Sequence, residues 1–133
     1  MPVMGRVTVP MRPRHGGGYD VTVTINDAVP LTFQIDTGAS DMSIPEAVMD
    51  RMLQNGTLSV ASFEGIQRYK MANGAIEISR TYRLASVTIG GRTVTDVLCS
   101  TGIDKNTFLL GQSFLRKFKS WSINNEDNLL ILD

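Results

Sequence analysis

The sequence predicts an all-β domain carrying one or two short helices. Short runs of alternating apolar and polar residues recur along the chain, turn signals separate them, and two segments alone have helical spacing. At 133 residues the chain forms one domain, 1–133, with room for a sizeable core. No internal repeat or low-complexity tract interrupts it.

Residues 6–10 read as a first strand. Residues 19–25 alternate well, with Tyr19, Val21, Val23 and Ile25 on one face. Between them, residues 12–18 hold His15 and three glycines and read as a solvated connection. Asn26-Asp27 signals a turn, and 31–35 return as the second arm of a hairpin, with Leu31, Phe33 and Ile35 in phase. A helix follows. Ser43-Ile-Pro-Glu46 has the form of a capping box, Val48, Met49, Met52 and Leu53 make its apolar stripe, and Asn55-Gly56 closes it.

Asn73-Gly74 is a favoured type I′ pair. A two-residue turn there opposes Lys70 to Glu77, Met71 to Ile76, Tyr69 to Ile78 and Arg68 to Ser79. That register sorts the hairpin into an apolar face and a charged face. Residues 94–99 form a further strand, and a second short helix starts near Ser113 with Phe114, Leu115 and Phe118 inward. Residues 121–123 and 129–132 make a closing hairpin around 124–128.

Thirteen basic residues balance thirteen acidic ones, which argues against a nucleic-acid or polybasic membrane partner. No apolar run approaches the ~18 residues that span a bilayer. The start of the sequence has no apolar signal region. One Cys, Cys99, excludes an internal disulfide and reads as a buried core thiol. With one His as well, no zinc-ligand spacing exists, so neither a metal nor another cofactor is expected.

Chemistry points to Asp36-Thr37-Gly38, which an apolar strand delivers into a turn and which occurs once. Thr37 offers a hydroxyl that can lock the turn. Gly38 lets backbone N–H groups approach a carboxylate, and small Ala39 and Ser40 leave room beside it. Asp41 follows as either a substrate contact or a surface charge; Asp104, Glu126 and Asp127 read as solvated.

In this order, residues 35–40 resemble the catalytic loop of the retropepsin-like aspartic proteases, residues 72–75 the flap tip, and Leu109-Leu110-Gly111 the motif that braces the catalytic loop. The stretch 110–115, ahead of a closing hairpin, is most similar to the bacterial members. Viral members usually carry Asp where Ser40 stands and Arg where Gln112 stands, a pair replaced here together.

The resemblance implies a closed β-barrel of Greek-key type acting as a homodimer. It also implies an aspartic endopeptidase in which each subunit brings one Asp36 to a two-fold axis. Two carboxylates there share one proton, because like charges in contact cannot both ionise cheaply. Thr37 and Gly38 would complete the catalytic loop. Ala39, Ser40, Asp41, Met71, Ala72, Asn73, Gly74, Ala75 and Ile76 would bind an extended peptide or unfolded protein. Ile44, Met71 and Ile76 would shape its subsites. Many bacterial members are membrane-anchored with an exported catalytic domain, which by resemblance alone allows a periplasmic setting through a segment outside this sequence. The alternative is a catalytically silent dimeric peptide-binding module on the same fold.

Overall fold

Val21, Val23 and Ile25 alternate inward along β3 (Tyr19–Ile25), and the strands they meet close the sheet on itself. The computed structural model describes residues 5–102 and 106–133, so Asp104 lies outside the described residues. β3 pairs with β4 (Val29–Ile35), β4 with β9 (Leu109–Leu110), β9 with β5 (Met42–Ile44), β5 with β8 (Arg92–Thr101) and β8 with β7 (Ile76–Ile89). β7 then returns to β3 through Thr24↔Thr88 and Ile25↔Val87, which completes the barrel. Closure removes the open edges that a flat sheet would expose. Two strands extend beyond the circuit: β2 (Arg12–Pro13) on β3, and β6 (Phe63–Lys70) on β7.

The barrel interior holds Phe33, Met42, Ile44, Leu84, Val97, Cys99 and Leu110, all buried. α1 (Glu46–Gln54) adds Met49 and Met52 to this core, and α2 (Gln112–Leu115) adds Phe114 and Leu115. A separate sheet orders β1 (Val7–Pro10), β11 (Leu129–Leu132) and β10 (Trp121–Asn124), and contributes Val9, Leu130 and Leu132. The all-β class with short helices, the closing hairpin and the buried Cys99 stand as expected.

Two local expectations need correction. The capping box does not form: Pro45 occupies the N-cap, and no side chain caps the helix. Ser43 is held in β5 by pairing with Ser100 and Leu109, so its hydroxyl cannot fold back on the helix start. The helix opens on backbone bonds instead, with the N–H groups of Val48 and Met49 donating to the Pro45 carbonyl.

The second correction is the hairpin register. A type I′ turn needs positive φ at both central residues. Asn26 and Asp27 satisfy that, at 51° and 55°, whereas in the second hairpin Gly74 is left-handed (86°) and Asn73 is not. Gly74 N–H donates to the Met71 carbonyl and Met71 N–H to the Ala75 carbonyl, while the Asn73 side chain accepts from Ala75 N–H. This wider loop pairs Lys70 with Ile76, Tyr69 with Glu77, Arg68 with Ile78 and Gln67 with Ser79. A slip of one residue moves side chains between faces. Tyr69 now shares a face with Ser79, and Ile76 and Ile78 share the other with Arg68 and Lys70. Those isoleucines are 65% and 55% exposed, so the expected all-apolar face is split.

Candidate active site

The strand order forces a crossing. β4 runs parallel to β9 on one side, with Ile35 opposite Leu110, and β5 flanks β9 on the other through Ser43↔Leu109. Residues 36–41 must therefore arch over the end of β9, and Gly111 lies directly beneath. A Cβ at position 111 would sit 2.4 Å from the Asp41 carbonyl oxygen and 2.6 Å from that of Ala39. Glycine is required there by close approach, because its φ of −102° suits any residue. At Gly38 a Cβ would meet only Asp36 Oδ1, at 3.4 Å, so no backbone clash demands glycine there within one chain.

Hydrogen bonds fix the arch at both ends. Asp36 N–H donates to the Leu110 carbonyl (3.1 Å), and Ala39 N–H to the Asp36 carbonyl (3.2 Å). The free N–H groups at the start of α2 are used on the loop: Gln112 N–H reaches the Ala39 carbonyl and Ser113 N–H the Ser40 carbonyl, each at 2.8 Å. Gln112 Nε2 donates to the Thr37 carbonyl at 2.8 Å. The Ser113 hydroxyl accepts from Met42 N–H and donates to the Leu98 carbonyl.

The half-buried Asp36 carboxylate emerges from this frame, with Oδ1 accepting from Gly38 N–H at 3.0 Å. It opens on a cleft of about 550 Å³. Asp36, residues 38–41 and Ser43 form one wall, Tyr69 and Ser79 of the β6–β7 hairpin another, and residues 100–102 with Thr107 and Leu109 the remainder. Asp41 Oδ2 accepts from the Ser100 hydroxyl at 3.0 Å, and Ser100 is 2.8 Å from Thr81 Oγ1. Beneath them, burial foremost and the Asp41 charge second push the Cys99 thiol well above its ordinary range. A thiol held protonated this way is no nucleophile.

The structure therefore gathers Asp36, Gly38, Ala39, Ser40, Asp41 and Leu109 around one cleft. Thr37 is exposed beside it, and Leu110 and Gly111 are buried under the arch. Met71, Ala72, Asn73, Gly74, Ala75 and Ile76 form the hairpin tip and do not line the cleft within one chain. Ile44, expected as a subsite wall, is core. Sequence reasoning missed Tyr69 and Ser79, which the mistaken register had hidden. It also missed Ser43, Ser100 and Thr101; for the last two the signal was present in small polar residues following the apolar Val97-Leu98-Cys99. Among the described residues no group of three or more His, Cys, Asp or Glu could hold a metal ion, and no helix is long and apolar enough to cross a membrane.

Comparison with known proteins agrees with this geometry. A search of curated proteins returned no match. Among solved structures, a retropepsin-like aspartic protease from Rickettsia conorii superposes with a TM-score of 0.68 at 25% identity, over 96% of this chain and 90% of that one. The family model described as "gag-polyprotein putative aspartyl protease" matches residues 21–117, a span holding the arch, the hairpin and β9. On that match the chain belongs to the gag-polyprotein aspartyl protease family, a retropepsin-like aspartic protease by both sequence and fold.

Proposed function

We propose that this chain is a homodimeric aspartic endopeptidase that hydrolyses peptide bonds with a water activated between two Asp36 carboxylates, one from each subunit. The observation that carries the reading is a single Asp36, presented to an open cleft by a loop braced from β9 and α2, in a chain with one Asp-Thr-Gly. A partner copy related by a two-fold axis supplies the second carboxylate.

The ionised carboxylate takes a proton from the water as its oxygen attacks the scissile carbonyl carbon. The protonated one donates to the carbonyl oxygen. The resulting tetrahedral diol collapses, its C–N bond breaks, and the departing nitrogen receives a proton from the pair. The two carboxylates titrate as a unit, so neither role belongs permanently to one subunit. The β6–β7 hairpin covers the substrate, with its backbone pairing to an extended peptide.

Asp36→Asn tests this directly. Cleavage of an unfolded protein should fall at least about 1,000-fold, a loss of roughly 4 kcal/mol of transition-state stabilisation. Sedimentation should still show a dimer. Full activity in the variant, or hydrolysis by a monomer, overturns the reading. A wild type that binds extended peptides without turnover establishes the silent module instead.

A further inference from the structure

We propose that the cleft beside Asp36 contains a subsite for a cationic peptide side chain, lysine or arginine, selected by Asp41; the inference rests on the protease reading above. Apolar surface predominates in the cleft, and within its described lining Asp41 is the charged residue besides Asp36. Ala39, Leu109 and Tyr69 line it together with Asp41 and the hydroxyl-bearing Ser43, Ser79, Ser100 and Thr101.

Asp41 itself is half-buried. None of the ion pairs among the described residues involves it. Its one hydrogen-bond donor among them is Ser100. Because the Ser100 proton goes to Asp41, the contact between Ser100 and Thr81 has Thr81 as donor. This relay fixes the carboxylate from behind and leaves most of its acceptor sites, about four in all, without a donor among the described residues.

Further acceptor capacity lies nearby. Ser79 donates to the Thr101 carbonyl at 2.7 Å, which leaves lone pairs on its own oxygen. An ammonium brings donors and no acceptor, so this arrangement suits it. An aliphatic side chain in the same place would strip water from a carboxylate with no replacement partner. Attraction and penalty thus act in one direction. In a two-fold dimer the subsite occurs twice, so a cationic preference is expected on both sides of the scissile bond.

The test is a peptide series in which each position near the cut carries either lysine or norleucine, its uncharged analogue of similar length. Wild type should prefer lysine by about tenfold in kcat/KM at one position on each side, the effect of a charge-assisted hydrogen bond. Asp41→Asn should bring that ratio within twofold, and added salt should shrink it in the wild type. Norleucine equal to lysine throughout, or a ratio unchanged in Asp41→Asn, overturns the subsite. The protease reading survives that outcome, since cleavage itself tests Asp36. If the wild type cuts none of the peptides, the protease reading fails, and fluorescence anisotropy on Asp36→Asn decides the subsite. Lysine peptides binding about tenfold tighter support it; equal binding or none overturns it.

Discussion

The Asp36 arch and the β6–β7 hairpin face each other across one cleft, yet they are held by opposite means. The arch is locked by tertiary contacts: β9 and Gly111 lie beneath it, and α2 donates to its carbonyls. The hairpin is anchored at its base, where Arg80 pairs with Asp50 at 2.8 Å and its backbone N–H meets Thr101 Oγ1. Burial acts to lower the Arg80 pKa there, and the Asp50 carboxylate together with Tyr82 raises it on balance. Beyond that base, the hydrogen bonds of the described residues 66–78 stay within the hairpin, and Ile66, Ile76 and Ile78 are exposed. On the proposed reading, the group that must be aimed sits on the rigid element, and the one that would admit a long peptide sits on the element with few tertiary ties.

The sharpest way to break this contrast is Gly111→Ala. Its methyl group would meet two backbone carbonyl oxygens, and backbone cannot step aside as a flexible side chain can. We expect a loss of about 3 kcal/mol in urea denaturation. A variant as stable as the wild type would mean that the arch does not rest on β9.

Ser113→Ala comes next. It strands the Met42 N–H and the Leu98 carbonyl, for an expected cost of about 2 kcal/mol in the same assay.

The floor under Asp41 gives a pH signature. Cys99 has a folded pKa raised by burial above its ordinary 9.0, so the fold favours the neutral thiol. That contribution is complete below the unfolded pKa and is lost as pH rises above it toward the folded value. Between about pH 8 and 10 the wild type should lose about 1.4 kcal/mol more than Cys99→Val. Equal pH slopes would show that the thiol ionises freely in the fold.

The hairpin should respond least. Gly74→Ala places a side chain at φ 86° and should lower the local opening free energy of the hairpin by about 1 kcal/mol, with global stability in urea unchanged. Hydrogen exchange should change within the hairpin and leave the arch protected. Ile76→Thr should stay within about 0.5 kcal/mol. Global destabilisation by either change would contradict the separation of the two regions.

Much of this was legible in the residues themselves. Alternation marked β3 and β4, Asn26-Asp27 marked the turn between them, and the spacing of Met49 and Met52 marked the buried face of α1. Asp36 stood out because a strand delivers it into a small-residue turn. These are local properties, fixed within a few residues by side-chain period and turn chemistry.

What the tertiary structure decided involves segments far apart in the chain. β7 runs from the hairpin into the barrel, where Tyr82, Leu84 and Val87 must point inward; the hairpin loop adapts to that constraint, and Asn73-Gly74 does not set the register. The cleft gains Ser100 and Thr101 because β5 lies beside β8, and Gly111 is indispensable because a loop some seventy residues earlier passes over it. No local pattern encodes such meetings, since they arise only when strands from distant parts of the chain share one closed sheet.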